Sequence, residues 1–325
     1  MPDTHVLVTG ANGCIGAWVT RHLSAEGTAF TATDLAPEPT RPRLLMPEEE
    51  VAALDWRALD VTDTAAVRRL VAETGATHIV HLAGLQVPFC KADPALGAAV
   101  NVTGTVNILE AARHEGVRGL AYASSLAVLG PPELYPVLPV PDNAPTAPSN
   151  LYGTYKVANE EAARIFAADW GVGSAGLRPA IVYGVGRDQG MSSDIAKAIL
   201  AVAANRPFHV RFSGPLSLQH ASDMAEMFLR AARAEPEGAI VCNVRNSVTE
   251  VARVLGILEE IAGPHQVTCE EDAPLGVPSD LSDAALKQLI GDIPHMPLEE
   301  AIAQDLAAYR DLMEREAIDL TQLDR

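Results

Sequence analysis

Tyr152 and Lys156 stand four residues apart in Tyr152-Gly153-Thr154-Tyr155-Lys156. On a helix that spacing puts both side chains on one face. An ammonium beside a phenol favours the phenolate, from a starting pKa near ~10. A tyrosine so tuned takes the proton of a substrate hydroxyl as hydride leaves the carbon, or returns it. Amphipathic packing alone also produces this spacing, so the pair needs its surroundings to acquire meaning. Ser124-Ser125 end an apolar run upstream. A hydroxyl beyond the carboxyl end of a strand can bond a substrate oxygen, and a serine there equally suits a turn.

A second set of residues suits a dinucleotide. Thr9-Gly10-Ala11-Asn12-Gly13-Cys14-Ile15-Gly16 directly follows the apolar run His5–Thr9. Glycines there permit a tight turn, close approach of a pyrophosphate and close helix–strand packing, while the helix N-terminus supplies amide donors. The spacing is GxxGxxG and not GxGxxG. Gly10, Asn12, Gly13, Cys14, Ile15 and Gly16 are therefore the expected cofactor cradle. Asp34 closes the next strand, where a carboxylate accepts ribose hydroxyls and repels a 2′-phosphate, so NAD is expected over NADP. Leu35 and Ala36 follow it, although Arg41 and Arg43 are near enough in sequence to reach back. Asp60-Val61 ends a third strand and can contact adenine, or can lead into a helix cap at Thr62-Asp63.

These residues need strands that deliver them to one edge. Strands are predicted at 5–9, 28–34, 57–61, 78–82, 117–124 and 174–183, with helices at 13–26, 63–73, 95–115 and 151–169. This βα alternation implies a parallel sheet with helices on both faces. Residues 131–148 carry seven prolines and read as a semi-rigid loop. Further helices are expected near 192–204, 222–234, 249–262 and 298–314. The expected division is a Rossmann-type nucleotide-binding domain over 1–183 and a smaller, mostly C-terminal α/β substrate-binding lobe over 184–325, some segments of which return to the first domain.

Composition narrows the partners. The chain has 325 residues, 48% of them hydrophobic and 20% charged, which excludes wholesale disorder. Acids outnumber bases 42 to 24, a formal charge of −18, which opposes binding to nucleic acid or anionic membranes. Cys14, Cys90, Cys242 and Cys269 are scattered, without metal-ligand spacing, so free thiols and no metal are expected. No stretch approaches the length of a membrane span, and a cytoplasmic location is expected.

Taken together, these residues resemble the extended short-chain dehydrogenase/reductase family, the NAD-dependent epimerase/dehydratase group. The matching segments are Thr9–Gly16, Asp34, Asp60-Val61, His81-Leu82-Ala83-Gly84, Asn101–Thr105, Ser124-Ser125 with Gly130, Tyr152–Lys156, Leu177-Arg178-Pro179 and Val182-Tyr183-Gly184. Weaker matches continue through His220–Asp223 and Leu298–Ala301. The resemblance implies a catalytic set of Ser125, Tyr152 and Lys156, with Lys156 also a ribose ligand. It brings Leu82, Ala83, Gly84 and Pro179 close to the nicotinamide end. Asn101 would support proton relay, or serve as a buried helix-capping residue. It also implies a homodimer paired through helices 95–115 and 151–169.

Departures from the family pattern narrow the chemistry. Dehydratases of the family carry an Asp-Glu pair after the catalytic hydroxyl; here Leu126 and Ala127 stand there, with no carboxylate to eliminate water. Many sugar-nucleotide members carry an arginine where Leu216 stands, and a second within the stretch Ala273–Pro278, which holds no base. A pyrophosphate without these cations binds poorly, so a small, non-nucleotide sugar, sugar acid or polyol is expected. Gln86, Ser124, Ser125, Tyr152, Arg187 and Ser192 are the expected substrate contacts. Arg187 can alternatively pair with Asp188, and Ser192 and Ser193 can cap the following helix. The expected activity is NAD-dependent oxidation of a secondary alcohol. The alternatives are an epimerase that oxidises and re-reduces one carbon on tightly held NAD, and a dinucleotide sensor without turnover.

Overall fold

The computed structural model describes residues 4–190 and 192–324. β1 (His5–Thr9) turns directly into α1 (Cys14–Glu26), and β2 (Ala29–Asp34) follows. α2 (Glu48–Ala52), β3 (Trp56–Ala58), α3 (Thr64–Thr74) and β4 (His78–His81) complete the first half of the main sheet. The Asp63 carboxylate accepts from Ala66 N and caps α3, so the cap at Thr62-Asp63 is realised.

The stretch expected as one helix over 95–115 is interrupted. After α4 (Val87–Ala92), it divides into α5 (Pro94–Ala98), a π-helical turn over Ala99–Thr103 and α6 (Gly104–Glu115). Asn101 Nδ2 donates to the Gly97 carbonyl at 2.9 Å, and Thr105 Oγ1 donates to the Asn101 carbonyl at 2.7 Å. Such side-chain bonds compete with the regular ladder and accompany the widened turn.

β5 (Gly119–Ala123) and α7 (Leu151–Trp170) flank the proline loop. Asn150 caps α7 by accepting from Gly153 N. The single strand expected over 174–183 is two: β6 (Ser174–Arg178) and β7 (Ile181–Tyr183), which lie in different sheets. Pro179 has no N–H to extend the ladder. Its carbonyl accepts from Leu126 N, and Ala180 N donates to Gln219 Oε1, which carries the chain out of the first sheet.

The remaining elements are α8 (Asp194–Ala203), β8 (Phe208–Val210), β9 (Pro215–His220), α9 (Ala221–Arg233), β10 (Ala239–Asn243), β11 (Ser247–Glu250), α10 (Val251–Ala262), β12 (Val267–Cys269), α11 (Ala284–Ile290) and α12 (Leu298–Glu314). The main sheet runs β3-β2-β1-β4-β5-β6-β10, every pair parallel. Strand order reverses between β1 and β4, which opens the crevice where ligands of such sheets bind. One face is packed by α3, α6 and α7 through Val67, Leu70, Ile108, Leu109 and Phe166. The other is packed by α1 and α9, in a core continuous with α8, α10 and α12. β11-β9-β7 and β12-β8 form two small sheets in the C-terminal half. Beyond residue 183, β10 joins the main sheet and α9 packs on it.

Behind the crevice, Arg178 is 4% exposed and donates to both Glu160 oxygens at 2.8 and 2.7 Å. Ser124 Oγ donates to Glu160 Oε1 at 2.5 Å, and Arg178 Nη1 donates to the Asp142 carbonyl and to Asn243 Oδ1. A buried pair of this kind binds its elements through mutual need, since either charge alone is costly. Arg178→Met should therefore lose about 3–5 kcal/mol in urea unfolding, and adding Glu160→Met should recover most of it. Additive losses in the double variant would contradict the coupling.

Candidate active site

The glycine turn lies where β1 and β4 part. Gly10 has φ +71°, and a Cβ there would sit 2.6 Å from Ala83 N. A Cβ on Gly16 would collide with the Gly10 carbonyl. Leu82 N donates to the Thr9 carbonyl at 3.0 Å. The turn is thus pressed onto the Leu82-Ala83 backbone, as its glycines require.

Asn12 organises one rim. Its Oδ1 accepts from Thr40 N, Thr40 Oγ1 and Arg41 N, while its Nδ2 donates to the Glu38 carbonyl. Arg41 donates to the Asn12 carbonyl at 2.6 Å, to the Gly186 carbonyl at 3.0 Å and to Asp188 at 2.5 Å. Arg43 pairs with Glu48 and Glu38. Both arginines that sequence placed within reach of a 2′-phosphate are therefore engaged by acids. Asp34 Oδ2 accepts from Asn12 N at 2.9 Å, and Oδ1 accepts only a long bond from Ala36 N at 3.4 Å. That leaves acceptor capacity for ribose hydroxyls. Asp60 is exposed and accepts from Thr62, while the Val61 carbonyl accepts from Asn107 Nδ2.

The proposed catalytic groups gather along the same edge. Lys156 is 3% exposed, and its Nζ donates to the Ala123 carbonyl at 2.7 Å. The ammonium lies 5.5 Å from the Tyr152 ring centroid. Burial lowers its pKa to about 8. The Tyr152 phenol goes the other way from the sequence expectation. Burial raises its pKa above the ordinary tyrosine value, with a Ser125 hydrogen bond and the Arg187 charge opposing. Desolvation of the phenolate outweighs the help of neighbours, and the lysine is held on a backbone carbonyl. Ser125 Oγ also accepts from Ala127 N at 3.1 Å.

A Cβ on Gly84 would approach Asn101 Oδ1 to 2.8 Å and Lys156 Nζ to 3.5 Å. Asn101 Oδ1 is buried without a partner, so an acceptor waits beside the lysine. His81 bridges Thr9 Oγ1 at 2.7 Å and Thr105 Oγ1 at 3.1 Å. Burial, then the Lys156 charge, lowers its pKa to about 3 and keeps it neutral. The glycine backbones, Asp34, and the lysine and asparagine at opposite ends of one edge fit a dinucleotide.

Of the expected substrate contacts, Gln86, Arg187 and Ser192 converge. Arg187 Nη2 donates to Ser192 Oγ at 3.4 Å, and its charge is felt at the Tyr152 phenol. Asp188, its alternative partner, belongs to Arg41. Ser193 bonds the Gly190 carbonyl and makes no side-chain cap on α8. Ser124 departs from the group: it is 2% exposed and its hydroxyl is bound to Glu160. Pro179 reaches the site edge through its carbonyl bond to Leu126 N. Leu216 is 1% exposed in β9, while Arg211 and Arg245 are paired with Asp194 and Asp280. Sequence reasoning missed the Arg41–Asp188 tie, whose members lie 147 residues apart, and the Glu160–Arg178 pair, whose members stand on different elements.

The buried lysine has a consequence for stability. Between about 8 and the unfolded value of 10.5, the unfolded chain holds the Lys156 proton and the folded chain releases it. Raising pH through this window therefore adds stability, and below about 8 the full burial penalty is present. In cofactor-free protein, wild type should gain stability relative to Lys156→Met as pH rises from about 8 toward 10.5. Denaturant unfolding at a series of pH values checks this, and a flat difference would refute it.

Comparisons with known proteins agree with the geometry. The model of the NAD dependent epimerase/dehydratase family matches residues 6–244. A UDP-glucose 4-epimerase of Mycolicibacterium smegmatis is 29% identical over 317 residues, covering 94% of this chain and 98% of its own. The UDP-glucose 4-epimerase of Thermotoga maritima, solved with UDP-glucose, superposes with a TM-score of 0.82 at 23% identity, covering 95% of this chain and 100% of its own. A partial consensus L-threonine 3-dehydrogenase superposes with a TM-score of 0.83 at 22% identity, covering 94% and 99%. The last two likenesses speak to the fold. With the match over residues 6–244 joined to the motifs and the parallel sheet, the chain belongs to the NAD-dependent epimerase/dehydratase family, as an NAD-dependent enzyme of the extended short-chain dehydrogenase/reductase type.

Proposed function

We propose that this enzyme is a carbohydrate epimerase that keeps its NAD bound. The observation that carries the reading is the convergence of Tyr152, Ser125 and Lys156 beside the glycine turn, in a chain similar along most of its length to a UDP-glucose 4-epimerase. Asp34 would take the adenosine ribose, the Gly10–Gly16 turn the pyrophosphate, and Lys156 with Asn101 the nicotinamide ribose. When bound there, NAD would supply the hydride acceptor.

Tyr152 removes the proton from a sugar hydroxyl as the carbon is oxidised. Ser125 holds the same oxygen and steadies the phenol through their hydrogen bond. Lys156 keeps a positive charge beside the ring and favours the phenolate once its own environment is completed by ligand. Tyr152 would then return the proton to the same oxygen when the carbon is reduced again. With Leu126 and Ala127 after Ser125, no acid stands there to drive water elimination.

A second reading, net oxidation of a small alcohol with release of NADH, uses the same groups. Leu216 and the base-free Ala273–Pro278 stretch offer no cation to a nucleotide pyrophosphate. That favours a substrate without a nucleotide under either reading. Isomerisation of a sugar without free NADH, by protein purified with NAD attached, is the result expected for the epimerase. NADH accumulating in proportion to product would replace it with the dehydrogenase.

Tyr152→Phe should lower kcat by about 10²–10⁴-fold while NAD binding, read by calorimetry, stays near wild type. Wild-type turnover in that variant would remove Tyr152 from the mechanism. We also propose a homodimer paired through α5, α6 and α7, where Leu96, Leu151 and Ile165 stand exposed. Sedimentation at micromolar concentration should give twice the chain mass, and a monomer would contradict the pairing.

A further inference from the structure

Most arginines of this acidic chain have an acidic partner. Arg41 pairs with Asp188, Arg178 with Glu160, Arg211 with Asp194 and Arg245 with Asp280. Arg187 differs. Among the described residues no carboxylate lies within 4 Å of its guanidinium, and its Nε is buried without a partner. Its one side-chain bond is the long one to Ser192 Oγ at 3.4 Å. In a chain with a formal charge of −18, a half-buried guanidinium left without an anion is the exception.

Its neighbours mark a ligand position. Gln86 Oε1 is also buried without a partner. Gly190, at φ +97°, separates the two: a Cβ there would meet Gln86 Oε1 and lie 3.1 Å from Arg187 Nη2. Because Gly190 has no side chain, a guanidinium donor, a serine hydroxyl and an amide acceptor come together against its backbone. Tyr152 is close enough to feel the Arg187 charge. A ligand with its carbinol at Tyr152 would therefore place a neighbouring group here. A donor fork wants a planar anion, and the amide oxygen wants a hydroxyl.

We propose that the sugar carries a carboxylate, received by Arg187 and Ser192, with Gln86 accepting from an adjacent hydroxyl. This rests on the reading that Tyr152 works on a sugar carbinol. One guanidinium matches one monoanion. A phosphate dianion would call for a second cation, and Arg41, Arg178 and Lys156 are already engaged. Anchoring by the acid group also meets a need of epimerisation without a nucleotide, because the oxidised sugar must turn its other face to the hydride and stay bound while it does so.

Calorimetry on NAD-loaded Tyr152→Phe protein tests this apart from turnover. The probes are D-glucuronate, D-galacturonate, the neutral isostere D-glucuronamide, D-glucose and UDP-glucose. At least one uronate should bind on the order of 10- to 100-fold more tightly than D-glucuronamide and D-glucose, the range of a charged hydrogen bond. Arg187→Gln should abolish that preference, and Arg187→Lys should restore only part of it. Equal binding of acid and amide by the unsubstituted site overturns the proposal without recourse to any Arg187 variant. Tighter binding of UDP-glucose than of either uronate also overturns it. Failure of the redox reading would appear elsewhere, as turnover surviving Tyr152→Phe, and would leave the acid–amide comparison standing.

Discussion

Gly10 occupies a point where three backbones meet and no side chain fits. The end of β1, the start of α1 and the Leu82-Ala83 segment after β4 close on one another there. Only a residue without Cβ, free to take φ +71°, lets them approach. The reversal of strand order between β1 and β4 opens a crevice beside this point. Every group assigned to chemistry is referred to it: Asp34 from β2, Ser125 beyond β5, Lys156 and Tyr152 from α7. A bulkier turn would move β4 away from β1 and α1 away from both.

Polar ties then hold the rim around this point. Asn12 uses its whole side chain on the 38–41 loop, and Arg41 extends the tie across the crevice to Gly186 and Asp188. Behind α7, the Ser124–Glu160–Arg178 network fixes the helix that carries Tyr152 and Lys156. The two serines of Ser124-Ser125 thus divide their work. Alternation along extended chain turns one inward to Glu160 and leaves the other beside Tyr152. The acidic composition acquires a local meaning in the same way. Its carboxylates engage Arg41 and Arg178, whereas among the described residues Arg187 has no acidic partner.

Burial sets the state of the reacting pair. A desolvated phenol stays protonated and a desolvated lysine gives up its proton more easily. Below about 8 the lysine still holds its proton, while the phenol ionises only in surroundings that offset its desolvation. That dependence suits an enzyme that acts on an assembled complex and not on stray alcohols. Asn101 Oδ1 and Gln86 Oε1, both in the proposed site, are also buried without a partner.

Much of the fold was legible because its signals are local. The glycine turn, Asp34 at the end of β2, the four-residue step from Tyr152 to Lys156 and the Asp63 cap depend on neighbours a few residues apart, and spacing alone assigns them to one face or one end. The breaks were less legible. Pro179 marks where strand pairing stops, but that β7 then joins β9 depends on Gln219 meeting Ala180. The π turn at Asn101 depends on side-chain bonds that a helical periodicity does not display. Tertiary structure alone decided which cation meets which acid, since Arg41 and Asp188 lie 147 residues apart. It also decided the direction of the Tyr152 shift, because sequence reveals a neighbouring charge while packing determines how much water is lost. The residue types and spacings determined which chemistry the chain can perform; burial and distant partners decided which of those groups remain free to perform it.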